Sequence, residues 1–344
     1  MKAVVLTGIR RMELTEAPAP TLEKNTDVLL KIEKVGVCGS DVHYYQTGRI
    51  GSQVVEYPFI VGHECTATVQ AVGSAVQNVK PGDRVFVEPA IACHNCDQCT
   101  AGRRNTCRNL KFLGCPGQVE GCLREYMLMP AECCLPIDDK IDLDLAVLSE
   151  PMAIGLYAVR QAHLADNHDI AILGAGPIGL SCLLVAKTQN ARKIFVTEKV
   201  KEREQVAARA AATWVANPET CNIVGEILER SPAGMDAVFE CAGQQETIDQ
   251  AVELLKPGGK LMLIGIPRTQ RVSFNIDYIR RKEITIINVR RQNRCTQACI
   301  DLIASGKIRP EFMITHRFEL EQTRRAFDMV ADYRDGVIKA LIEL

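Results

Sequence analysis

The chain has 344 residues, 47% of them hydrophobic and 24% charged, with a formal net charge of −1. That balance fits a globular protein with a sizeable core, long enough for two domains of ordinary size. A net charge this close to zero excludes a strongly basic chain, and nothing in it points to a nucleic acid or an anionic membrane as partner. No window approaches the roughly 18 apolar residues that cross a bilayer, and the apolar stretch from Ala3 to Leu6 is too short for a signal-peptide core. A cytoplasmic location is expected. Fifteen cysteines, an odd number, fit reduced thiols in that setting better than a disulfide framework.

Residues 1 to about 150 read as β-rich. From Asp27 to Cys38, the apolar residues Val28, Leu30 and Ile32 fall at every second position, the period of a half-buried strand. Pro81 and Gly82 supply a turn into the apolar strand Val85 to Val87. Glycine and proline recur at short intervals, as expected of many short strands. The texture changes at Glu150-Pro151. Apolar runs at residues 169–173, 193–197, 236–240 and 260–264 alternate with helical stretches such as 178–188 and 202–212. This alternation predicts a parallel sheet with helices on both faces, over residues 151–290. A helix is expected from Thr296 to Ser305, and a last apolar strand from Ile338 to Ile342.

The strand ending at Leu173 runs into Gly174-Ala-Gly176-Pro177-Ile178-Gly179, followed at once by an apolar helix. This G-x-G-x-x-G stands in the context that makes it a dinucleotide site. The glycines allow a tight turn, close backbone approach to a pyrophosphate, and close helix–strand packing. A second strand ends at Glu198, placed to accept hydrogen bonds from ribose hydroxyls and to repel a 2′-phosphate, which favours NAD over NADP. Lys199 and Arg203 stand close enough to soften that preference.

Two sets of metal donors are visible. Cys93, Cys96, Cys99 and Cys107 offer four thiolates from one loop, the closed shell of a structural zinc site. The second set is dispersed: Cys38 follows one strand, and His63-Glu64 follows another. Sulfur, nitrogen and oxygen donors of this kind suit a zinc ion that keeps a position open for substrate. Glu150, at the junction of the two regions, is a further candidate carboxylate.

Taken in order, Gly36-Val-Cys-Gly-Ser-Asp41, Pro58-Phe-Ile-Val-Gly-His-Glu64, Lys80-Pro-Gly-Asp-Arg-Val85, the four-cysteine loop, Glu150-Pro151 and the glycine turn resemble the zinc-containing medium-chain dehydrogenase/reductase superfamily. Within it, Cys38-Gly-Ser-Asp-Val-His-Tyr44 with Gly48-Arg-Ile-Gly51 resembles the sorbitol (L-iditol 2-) dehydrogenase branch. The resemblance implies an α/β protein made of a GroES-like β-barrel catalytic domain, residues 1–150 completed by 291–344, and a Rossmann NAD-binding domain over 151–290. It also implies two zinc ions per chain and a homodimer or homotetramer.

For matching positions the resemblance implies Cys38, His63 and Glu64 as ligands of the catalytic zinc. Glu150 would hold the metal's water or coordinate the metal. Ser40 would pass the hydroxyl proton outward by way of His43. Tyr44, Phe112 and Arg290 would line a polyol pocket. Arg291 departs from the branch, which usually carries tyrosine there. With Arg290 and Arg294 it forms a cluster able to take a carboxylate or phosphate bidentately, or to serve as a solvated surface. The implied activity is oxidation of a secondary hydroxyl of a polyol or sugar-derived substrate to a ketose, with hydride transfer to NAD. Alternatives are L-threonine, a sugar acid or a phosphorylated polyol as substrate. A non-catalytic NAD-binding protein would be expected to lose one of Cys38, His63 and Glu64, and all three are present.

Overall fold

A computed structural model describes residues 1–210 and 212–344. The chain divides into two compact units, Met1–Glu150 with Ile300–Leu344, and Pro151–Cys299. The chain re-enters the first unit at Ile300, and the segment after the strand Thr285–Asn288 belongs to the second unit.

In the first unit the strands run in the spatial order Cys134–Pro136, Arg84–Val87, Glu64–Val72, Asp27–Gly36, Lys339–Glu343 and Ile314–Glu319, with Tyr126–Pro130 also paired to Asp27–Gly36. Asp27–Gly36 buries Val28, Leu30 and Ile32, as its alternation predicts. The C-terminal strand Lys339–Glu343 pairs antiparallel with it, setting Leu341 opposite Gly36 and Ile342 opposite Val35. The residues after Cys38, read from sequence only as following a strand, wind into the helix Gly39–Thr47, which Gly48 ends in a left-handed conformation.

The second unit holds six parallel strands in the order Trp214–Ala216, Lys193–Thr197, Asp169–Leu173, Met235–Glu240, Leu255–Leu263 and Thr285–Asn288. Four of these coincide with the apolar runs of the sequence. The two edge strands, of three and four residues, are too short for a periodic signal. Leu255–Leu263 begins five residues before its predicted start, its backbone staying extended through Pro257, Gly258 and Gly259. The helix expected over residues 202–212 spans Lys201–Arg209, and Ala211 lies outside the described residues. This strand order is that of a doubly wound dinucleotide-binding sheet, in which ligands bind beyond the carboxyl ends of the central strands.

Candidate active site and metal centres

Cys38 caps the helix Gly39–Thr47, Glu64 opens the strand Glu64–Val72 and His63 directly precedes it, so neighbouring strand ends deliver all three side chains to one place. Their donor atoms lie within 4.8 Å of one another. Register explains part of this, since Glu64 faces Gly36 across the sheet. A methyl group on Gly36 would come 2.2 Å from Glu64 Oε2, so only glycine leaves room for the carboxylate. Glu150, on the first turn of the helix Ser149–Ala162, is buried, and its Oε2 has no hydrogen-bond partner. Burial pushes its pKa up to about 7; Glu64 and Glu88 add to the shift, while His63 and Lys339 oppose it. A buried carboxylate oxygen without a donor, beside mixed S, N and O donors, fits a divalent cation.

In the four-cysteine loop, Cys107 Sγ lies 3.4 Å from Cys93 Sγ and 3.9 Å from Cys96 Sγ, and all four sulfurs fall within 4.8 Å. Metal–sulfur bonds of ~2.3 Å in a tetrahedron give sulfur–sulfur edges of about 3.8 Å, so the spacing fits a zinc ion. The four cysteines are free thiols. The backbone N–H of Asn95 lowers the Cys93 thiol to about 6, whereas burial and the neighbouring thiols raise that of Cys99. Four thiolates cannot ionise side by side without a cation among them.

The glycine turn lies between the strand Asp169–Leu173 and the helix Pro177–Thr188, whose N-cap, Gly176, offers no side-chain cap and whose first residue is proline. Its N-terminal amides are therefore left for a pyrophosphate. A Cβ on Gly179 would sit 1.8 Å from Gly174 O, so this helix can pack so closely only with glycine there. Glu198 bridges both turns: its Oε2 accepts from Ala175 N at 2.7 Å, and its Oε1 from Lys199 N and Val200 N at 2.8 and 2.9 Å. Arg203 is buried, with Nη1 3.6 Å from where a Gly176 Cβ would lie. Lys199 Nζ sits between Glu219 and Glu246, at 3.8 and 3.7 Å. The donor set and the uncapped helix fit a dinucleotide.

Residues 24–139 match the alcohol dehydrogenase GroES-like domain family, and residues 177–305 match the zinc-binding dehydrogenase family. The chain is 35% identical over 343 residues to sorbitol dehydrogenase of Bacillus subtilis (strain 168), covering 99% of this chain and 97% of that one. The chain belongs to the zinc-containing medium-chain dehydrogenase/reductase superfamily. It is similar to L-idonate 5-dehydrogenase of Vitis vinifera, 32% identical over 99% of this chain and 94% of that one. A Sinorhizobium meliloti 1021 structure bound to NADP superposes with a TM-score of 0.91 at 30% identity, covering 100% of this chain and 99% of that one. The protein is thus an NAD(P)- and zinc-dependent dehydrogenase of the sorbitol-dehydrogenase-like kind.

The remaining expected residues of this dehydrogenase fall in three places. Ser40, His43 and Tyr44 share the helix Gly39–Thr47, with Ser40 Oγ 3.4 Å from Cys38 Sγ and Tyr44 one turn beyond Ser40 on the same face. Phe112 packs on His63, ring centroids 5.3 Å apart. Arg290 and Arg291 belong to the second unit, after the strand Thr285–Asn288, where Arg291 and Arg294 adopt positive φ of 53° and 56°.

Two partners of the dispersed site were not singled out from sequence. Buried Asp41 meets His63 Nδ1 at 3.2 Å through Oδ1, and that oxygen also accepts from Gly62 N. Burial works against charge on His63, but Asp41 and Cys38 more than compensate and raise its pKa well above the ordinary value. Lys339 is 1% exposed and gives Nζ to both Glu64 oxygens, at 2.8 and 2.6 Å, and to Val37 O. Burial alone would lower its pKa; the Glu64 carboxylate reverses the direction. A lone lysine in an otherwise apolar strand was the signal for such a pair. Among the described residues no helix is long and apolar enough to cross a membrane.

Proposed function

We propose that this dehydrogenase oxidises a secondary hydroxyl of a polyol or sugar-derived substrate to a ketone, with NAD as hydride acceptor. The carrying observation is the partnerless oxygen of Glu150 beside the Cys38, His63 and Glu64 donors, in a chain whose relatives include a sorbitol dehydrogenase. Cys38, His63 and Glu64 would hold one zinc ion, and Cys93, Cys96, Cys99 and Cys107 a second. When bound, the catalytic zinc supplies Lewis acidity and the nicotinamide accepts the hydride.

The chain's own residues do the rest. Ser40 Oγ takes the substrate's hydroxyl proton and passes it outward by way of His43. Glu150, buried and titrating near neutrality, places a carboxylate beside the reacting centre. Tyr44 and Phe112 bound the substrate, with Arg290 and Arg291 as further contacts. Gly174, Gly176, Pro177, Ile178 and Gly179 bind the pyrophosphate. Glu198, already ordered by three amides, takes the ribose hydroxyls and disfavours a 2′-phosphate, while Arg203 packs over the turn. Lys199, shared between two carboxylates, offers little to a 2′-phosphate. Fifteen free cysteines fit the reducing cytoplasm, and a homodimer or homotetramer is the expected assembly.

A second reading, a sugar acid as substrate, draws on the Vitis relative and on the arginines at 290, 291 and 294. The test is NADH formation by the zinc-loaded protein across sorbitol, xylitol, galactitol, L-threonine, gluconate and a polyol phosphate, repeated with NADP. Preference for a neutral polyol with NAD supports the first reading; turnover of anionic substrates alone overturns it in favour of the second.

A further inference from the structure

The hairpin formed by Arg49–Ile50 and Gln53–Val54 is held in shape by Arg49, whose guanidinium donates twice to Gly51 O, at 3.0 and 2.7 Å, and by Val55 N on Gly48 O. It delivers Gln53 between two residues that sequence reading did not connect. Gln53 Oε1 accepts from the Tyr44 hydroxyl at 3.1 Å, and Gln53 Nε2 donates to Cys115 Sγ at 2.8 Å. Cys115 is 2% exposed, lies 3.8 Å from the Tyr44 hydroxyl, and donates its N–H to Phe112 O. A continuous chain of contacts therefore runs from His63 through Phe112, Cys115 and Gln53 to Tyr44, whose helix begins right after Cys38.

A phenol has one proton. Tyr44 spends its proton on Gln53, so any further group that meets the phenol oxygen must donate to it. A polyol hydroxyl can donate. A carboxylate or a phosphate dianion can only accept, and beside this oxygen it would face an acceptor it cannot satisfy. Turning the Gln53 carboxamide over would put its NH₂ on the phenol and release the proton for an anion. In the observed orientation the amide N–H goes to the sulfur of Cys115, so the phenol is left the carboxamide oxygen.

We propose that Gln53, its amide N–H on Cys115 and its oxygen on Tyr44, is a positioning residue that makes Tyr44 a hydrogen-bond acceptor toward the substrate, so the site selects a neutral polyol hydroxyl over a carboxylate or phosphate. This rests on the assignment of Tyr44 to the substrate site.

Steady-state kinetics with sorbitol and gluconate on the zinc-loaded protein test it, using Gln53→Leu, Gln53→Glu, Tyr44→Phe and the Tyr44→Phe/Gln53→Leu pair, each checked for fold and zinc content. Gln53→Leu is expected to raise the sorbitol KM about tenfold with kcat within about twofold, and to lower the sorbitol-over-gluconate preference about tenfold. Gln53→Glu, which still accepts the phenolic proton and cannot release it by turning over, is expected to stay within about threefold of wild type. The double variant is expected to be no worse than Tyr44→Phe, because both changes remove one coupled interaction. A silent Gln53→Leu beside an impaired Tyr44→Phe overturns the role of Gln53, as do fully additive losses. A Tyr44→Phe variant indistinguishable from wild type overturns the assignment of Tyr44 and the inference with it.

Discussion

In the Cys93–Cys107 loop four identical donors come from one short stretch of chain, whereas Cys38 and the pair His63-Glu64 arrive from separate strand ends and draw on buried Asp41 and on Lys339, 275 residues from Glu64. The thiol set is closed: four soft ligands saturate a tetrahedral ion, and the surrounding charges are exposed, as with Asp97 and Arg108. The dispersed set stays open and depends on its surroundings. Asp41 orients the histidine, Lys339 balances Glu64, and Glu150 waits beside them with an unmatched oxygen. A site that only staples a loop can be written locally, while one that must bind, release and move a proton needs neighbours to set its charge.

The comparison predicts where substitutions hurt. Lys339→Met leaves the Glu64 carboxylate buried and uncompensated, and should cost about 3–5 kcal/mol of stability in urea unfolding of the metal-free protein. A loss under about 1 kcal/mol would show that the pair contributes little. Asp41→Asn should weaken zinc at the dispersed site by about 10–100-fold in a competition titration, and leave the four-cysteine site untouched. Equal weakening of both would erase the distinction drawn here. Glu198→Gln replaces a carboxylate that serves three amides, and should raise the KM for NAD by about tenfold while both zinc ions stay bound. Asp97→Asn, which weakens an exposed ion pair with Arg108 and an exposed hydrogen bond from Gln98, should leave zinc content and thermal stability nearly unchanged. A substantial loss of zinc there would mean that the loop leans on its surroundings as much as the dispersed site does.

The same contrast governs what could be read from the sequence. The four cysteines and the glycine turn carry their geometry in their spacing, and the apolar runs before and after the turn marked the inner strands of the parallel sheet. The short edge strands Trp214–Ala216 and Thr285–Asn288 carry no period, so they stayed hidden. Lys339 is 275 residues from Glu64, and nothing local in the final strand names its partner. Gln53 and Cys115 were opaque for the same reason, since one sits in a two-residue strand and the other in a loop. The return to the first unit at Ile300 falls inside the helix Thr296–Ala304, where composition does not change.

The most direct test of the account counts zinc by elemental analysis and measures sorbitol-dependent NADH formation on the same samples of wild type, Cys38→Ser and Cys99→Ser. Two zinc ions per chain are predicted for wild type and one for each variant. Cys38→Ser should keep its fold and lose at least about a thousandfold in activity, and the folded fraction of Cys99→Ser should remain active. Wild-type activity in Cys38→Ser, or two zinc ions bound in it at full strength, would contradict the assignment of the dispersed cluster as the catalytic centre.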